Sequence, residues 1–146
     1  GPNGETYYLV PFSEVKSIAP PTNMAESMAI AAASGCKSYT LGVYITNDFG
    51  QNLGRYAQKI DWCYNGSTIT SKTRTRWGEV YSPPLQFNGN IDNSESGGVG
   101  QTYYRAWTQG EFCMWLPGAG CVTWVYPWVE QYVYGTGTYS GSTGGG

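Results

Sequence analysis

Residues Leu53–Trp77 read LGRYAQKIDWCYNGSTITSKTRTRW, two alternating runs that meet at Asn65-Gly66. An Asn-Gly pair between such runs predicts a tight type I′ hairpin, because both central residues of that turn need positive φ. The turn would fix the pairing. Tyr64 then faces Ser67, Trp62 faces Ile69, Ile60 faces Ser71, Tyr56 faces Thr75 and Gly54 faces Trp77, all on an apolar side. The reverse side carries Arg55 opposite Arg76, Ala57 opposite Arg74, Lys59 opposite Lys72, and Asp61 opposite Thr70. Asn65-Gly66-Ser67 has the form of an N-glycosylation acceptor, but its place at the tight turn assigns it to turn chemistry.

On the N-terminal side, Tyr39, Leu41, Val43 and Ile45 alternate with Thr40, Gly42, Tyr44 and Thr46, the pattern of a half-buried strand. Asn23 to Ser34 is predicted as a short helix, with Asn23 as N-cap, Glu26 at the capping-box spacing and Gly35 as the stop. Before it lies an apolar, strand-like arm, Tyr7, Tyr8, Leu9, Val10 and Phe12, interrupted by Pro11 and closed by Pro20-Pro21. No leader is visible and Gly1-Pro2 reads as a scar of tag cleavage, so the chain is read as a mature or trimmed form.

On the C-terminal side, Glu79-Val80-Tyr81 and Leu85-Gln86-Phe87 read as short strands and Asn90–Gly100 as a polar loop. Three aromatic-dense runs follow, Gln101–Leu116, Cys121–Tyr126 and Trp128–Tyr134, and then a tail of linker composition. The expected fold is all-β: an antiparallel two-sheet sandwich of about seven or eight strands, stapled by disulfides, with an N-terminal arm and one short helix. Residues 1–35 are assigned to arm and helix, 36–135 to the sandwich and 136–146 to the tail.

Aromatic residues are 16% of the 146 residues and charged residues only 12%, a balance far from that of a typical cytosolic enzyme. A formal charge of −2 gives no reason to expect nucleic acid or an anionic membrane surface as partner, and no apolar run is long enough to span a membrane. Four cysteines without a C-x-x-C pair point to two disulfides in an oxidising compartment rather than to zinc. Of the three connectivities, Cys36–Cys63 with Cys113–Cys121 is preferred, the second closing a hairpin over Leu116-Pro117-Gly118-Ala119-Gly120.

The chain has no histidine, which excludes Ser-His-Asp and Cys-His catalysis and any His-ligated metal. No metal or cofactor is expected. Asp61, Glu79, Glu111 and Glu130 are the acids expected on strands, with a role in balancing positive charge. Two features remain as candidate sites. Arg55, Lys59, Lys72, Arg74 and Arg76 would form a cationic face if the Asn-Gly register holds. Tyr103, Trp107, Trp115, Trp124, Trp128, Tyr132 and Tyr134 exceed what one face of a sheet can bury, so some should be exposed, as at binding surfaces.

The segments Asp61-Trp62-Cys63-Tyr64-Asn65-Gly66, Arg76-Trp77-Gly78-Glu79-Val80, Ser96-Gly97-Gly98-Val99-Gly100, Gln109-Gly110-Glu111-Phe112-Cys113 and Tyr126-Pro127-Trp128-Val129 resemble small secreted β proteins of actinomycete type without assigned function. The resemblance covers about residues 36–140 and implies export; it carries over no catalytic residue. The expectation is therefore a secreted, extracellular, non-enzymatic binding or assembly module. Its partner would be another protein or copies of itself, met by strand addition of the arm or as an adaptor in a secreted multi-protein or toxin particle. The alternatives are a carbohydrate-binding module using exposed Tyr and Trp, and a glycosidase-like hydrolase using Asp61 or Glu111.

Overall fold

The computed structural model describes residues 7–19 and 34–145. Nine strands follow one another: β1 (Tyr8–Ser17), β2 (Gly35–Thr46), β3 (Asn52–Tyr64), β4 (Ile69–Val80), β5 (Leu85–Gly97), β6 (Tyr103–Leu116), β7 (Gly120–Val125), β8 (Trp128–Tyr134) and β9 (Tyr139–Gly144). They form two antiparallel sheets. One has the order β1-β2-β3-β4; the other has the order β5-β6-β8-β9, with β7 also on β6. β7 and β8 lie end to end along β6, which pairs with β8 over Tyr103–Gln109 and with β7 over Phe112–Leu116. The predicted helix at Asn23–Ser34 lies outside the described residues apart from Ser34; among the described residues there is no helix.

One apolar cluster lies between the sheets. Tyr39, Val43, Ile45, Tyr56, Ile60 and Trp62 from one layer meet Tyr104, Phe112, Met114, Val129 and Val133 from the other. Close approach explains Gly110, where a Cβ would lie 2.6 Å from the ring of Tyr56. That ring crosses the gap, and its hydroxyl bonds Thr108 and Asn90, each at 2.6 Å. Both expected disulfides are present, Cys36–Cys63 and Cys113–Cys121. The first joins partners already opposite each other in the β2–β3 register.

The terminal segments belong to the sheets. β1 runs straight through Pro11 and pairs with β2 from Tyr8↔Thr46 to Ser17↔Lys37; an edge strand tolerates the missing N–H. β9 pairs with β8, so most of the tail read as linker is an edge strand. The polar stretch read as a loop after Asn90 is strand as far as Gly97, with two register shifts against β6.

The hairpin that decides the fold is present, but its register differs from the expected one. Asn65 Oδ1 accepts from the amides of Ser67 at 3.0 Å and Thr68 at 2.8 Å, which opens a four-residue loop (65–68) and puts Tyr64 opposite Ile69. A further shift between Cys63 and Tyr64 then sets Ile60 opposite Arg74 and Trp62 opposite Lys72. The offset from the expected pairing is three residues (Ile60 opposite Arg74 in place of Ser71), an odd number, so β4 is turned over. Thr73, Thr75 and Trp77 look outward, while Lys72, Arg74 and Arg76 share the inner side with Gln58, Ile60 and Trp62.

Candidate functional site

The turned strand dissolves the expected cationic face. Arg55 and Lys59 remain outside on the four-stranded sheet, whereas Lys72, Arg74 and Arg76 enter the seam between β4 and β5. There Arg74 reaches Gln58 Oε1 at 3.4 Å and Asn93 Oδ1 at 3.1 Å. Arg76 donates to Thr108 at 3.2 Å. Lys72 lies 4.3 Å from the centre of the Tyr104 ring and 3.7 Å from Glu95, which also accepts from the Tyr104 hydroxyl. That hydroxyl holds the Glu95 carboxyl below its ordinary range, while burial pushes the Tyr104 phenol up. These cations are ties across the β4–β5 seam and do not share one outer face with Arg55 and Lys59.

Arg55 is occupied as well. Its guanidinium donates to Glu79 at 2.7 Å and sits between the rings of Phe12 and Trp77, each centred 5.6 Å away. The hydrogen bond from Arg55 holds Glu79 below the usual carboxylate range. Phe12 in turn lies on Tyr44 with centroids 4.5 Å apart. The other arm residues are accounted for on their own sheet. Tyr7 and Leu9 pack against the core, Tyr8 donates to Asp48 at 3.1 Å, and Val10 is exposed.

The seven aromatic candidates, by contrast, come together. Alternation along β6, β7 and β8 puts Tyr103, Trp107, Trp115, Trp124, Trp128, Tyr132 and Tyr134 all on the outer side of the five-stranded sheet. Successive rows are Tyr103 with Tyr134, Arg105 with Tyr132, Trp107 with Glu130, Gln109 with Trp128, then Glu111, Cys113 with Trp124, and Trp115 with Cys121. From Tyr103 to Trp115 this face is roughly 40 Å long at about 3.3 Å per residue. Trp115 and Trp124 are the most exposed of the seven, at 44% and 45%; the other five are half-buried. Arg105 and Glu130 pair at 2.6 Å in the middle of the face, and Arg105 also donates to Ser94 at 2.9 Å. Glu111 accepts from Asn88 at 2.9 Å.

Each end of the face opens into a depression. At the Trp115 end an apolar groove of about 620 Å³ is lined by Val80, Pro83, Pro84, Leu116 and Pro117 among others. At the other end a cleft of about 560 Å³ is lined by Tyr103, Tyr132 and Tyr134 with Gly66, Ser67, Thr102, Thr136 and Thr138. Sequence reasoning missed these hydroxyl residues. The run Thr136-Gly137-Thr138 has linker composition, yet it is part of the turn joining β8 to β9, closed by Tyr134 N–H to Thr138 O at 3.0 Å. Its position between two β-compatible runs was the available signal.

Asp61 points to the outer side of the four-stranded sheet, opposite Ser38 and Thr73, with Lys59 3.8 Å away. Glu111 lies on the outer side of the other sheet. The two acids therefore sit on opposite faces of the molecule and cannot act on one bond as a pair. Among the described residues no three His, Cys, Asp or Glu side chains cluster to hold a metal ion, and no helix is long and apolar enough to cross a membrane. Comparison with protein-family models, curated proteins and solved structures finds no match to this chain.

Proposed function

We propose that this chain is an exported, non-catalytic binding module that recognises its partner through the outer face of the five-stranded sheet. The observation that carries the reading is the collection of all seven aromatic candidates on that one face, at the end of which Trp115 and Trp124 stay nearly half exposed. Large aromatic side chains on a rigid sheet supply contact area at little cost in conformational freedom. Export is supported by the two disulfides, which suit an oxidising compartment. A glycosidase-like hydrolase using Asp61 or Glu111 has less behind it, since the two acids lie on opposite faces and neither can be the other's partner carboxylate.

Assembly with another protein is a second reading. It is favoured by the apolar groove beside Trp115, where Val80 and Leu116 are also exposed. The arm supports it less, because β1 is paired along its length with its own sheet.

The reading is tested by retention on insoluble polysaccharides (chitin, cellulose, cell wall) together with light scattering for self-association. The wild type should be retained or self-associate without releasing soluble product. Trp115→Ala with Trp124→Ala should abolish this, whereas Phe49→Ala, at a ring 88% exposed in the turn between β2 and β3, should not. A wild type that does neither, or equal loss in both variants, would overturn it.

A further inference from the structure

We infer that the ligand of this face is an uncharged, hydroxyl-rich polysaccharide chain, seated at one end in the Tyr103–Tyr132–Tyr134 cleft. The inference rests on the reading that the outer face is the recognition surface, and adds the chemistry of what is recognised.

The cleft lining carries no charged side chain: three phenol rings stand among the hydroxyls of Ser67, Thr102, Thr136 and Thr138. Its volume of about 560 Å³ suits a small-molecule site. Hydroxyls both donate and accept, which matches sugar hydroxyls. A lipid or a wholly apolar peptide would instead strip water from these hydroxyls and offer no partner in return; a sugar hydroxyl can join the pair that Thr136 and Thr138 make with each other at 2.8 Å. Among the described residues the neighbouring cations are already occupied: Arg105 on this face is held by Glu130 at 2.6 Å and by Ser94 at 2.9 Å, and the Lys37 ammonium donates to Gly137 O at 2.8 Å. Charge complementarity therefore selects a neutral ligand.

The layout of the face favours an elongated one. Tyr132 and Tyr134 stand side by side along β8, parallel to within 11° and with centroids 6.3 Å apart. The aromatic rows continue from there toward Trp124 and Trp115, which suits an elongated occupant.

The cleft is also built in advance. Gly66 N–H donates to Gly135 O at 2.9 Å and Gly135 N–H to Thr102 O at 2.9 Å, fixing the wall that bears Ser67. Trp62 Nε1 donates to Tyr134 O at 3.0 Å from inside the core. A site held this way spends little binding energy on ordering itself.

The test is affinity electrophoresis in gels containing hydroxyethylcellulose, xyloglucan or glucomannan, with carboxymethylcellulose and polygalacturonate as charged counterparts. At least one neutral polymer should retard the wild type, with a dissociation constant insensitive to salt. Tyr132→Ala and Tyr134→Ala should each weaken binding tenfold or more, at unchanged thermal midpoint. Tyr132→Phe, which keeps the ring, should retain most of the binding, and Phe49→Ala all of it. Equal binding by the tyrosine variants would overturn the cleft; if Trp115→Ala with Trp124→Ala still abolished binding, the outer face would stand as the recognition surface. Preference for the charged polymers, relieved by salt, would overturn the neutral assignment. Self-association abolished by the tryptophan pair, with no polymer bound, would assign the face to a protein partner and overturn the polysaccharide.

Discussion

Gln58 donates its side-chain Nε2 to Oε1 of Gln131 at 3.0 Å across the gap between the two sheets, and neither side chain reaches water. Gln58 also donates to Ala106 O at 3.1 Å, and Gln131 passes the chain on to Tyr39 O at 3.0 Å. A buried polar link of this kind aligns the layers only while every member has its partner.

Replacing Gln131 with Leu should therefore cost about 1–3 kcal/mol, because Tyr39 O and one Gln58 contact are left without a donor or acceptor in the core. A urea midpoint that falls at constant slope reads this loss. The double replacement of Gln58 and Gln131 by Leu should cost less than the sum of the two single ones, since it removes both ends of the link together.

The two disulfides should differ in what they contribute. Cys36–Cys63 closes a separation of 27 residues and Cys113–Cys121 one of 8. Loop-closure entropy then gives about 3.5 kcal/mol for the first and about 2.5 kcal/mol for the second. Pairwise replacement by Ala, followed by denaturant unfolding, should return that order.

Acid should weaken the fold through Glu95. The Tyr104 hydroxyl, with Arg74 and Lys72 behind it, holds its carboxyl below the ordinary value of 4.5. The stabilisation is complete above that value and is lost as the pH falls through it and then through the lower folded value, because the unfolded chain takes up the proton first. Glu95→Gln should lower stability in the neutral region, where the ionised contact is fully made, and flatten the acid limb so that the two curves converge at low pH. In the alkaline direction, burial raises the Tyr39 phenol to about 12. Tyrosinate absorbance should therefore show a late-titrating group, and stability should fall as the pH climbs above 10.

A fourth expectation concerns Gly135. A Cβ there would lie 2.1 Å from Ser67 O and 2.5 Å from Thr68 Cα, both backbone atoms. Gly135→Ala should cost about 1–3 kcal/mol by forcing the turn away, and should reduce ligand retention along with the thermal midpoint. A variant that bound and melted like the wild type would show that this wall is looser than its hydrogen bonds indicate.

Residue pattern alone carried the layer of aromatics and the cross-links. Strict alternation over Tyr103–Trp115 and Trp128–Tyr134 puts one set of rings on one side whatever the register. Cys36 and Cys63 sit in strands that pair directly. The pairing of β4 was hidden because two local features set it: Asn65 captures two amides and lengthens the loop by two residues, and the irregularity between Cys63 and Tyr64 adds the odd residue that turns the strand over. The strands β5 and β9 were hidden for another reason. As edge strands they are largely exposed on both sides, so Asn93, Glu95, Ser140 and Ser142 display no apolar period. Their place is set by partners elsewhere in the chain, as when Glu95 meets Lys72 and Arg74.

The inward turn of Lys72, Arg74 and Arg76 has a consequence for how the layers come apart. Along β2 and β9 the molecule is shut by oily contacts, with Tyr39 against Tyr139 at 4.9 Å and Leu41 over Gly141. Along β4 and β5 the ions and amides around Glu95 join the contact of Phe87 over Gly78. Salt and acid loosen the second margin and spare the first; cooling, which weakens apolar association, does the reverse. The two long sides of one small domain thus answer to different solvents, and each can be unfastened while the other holds.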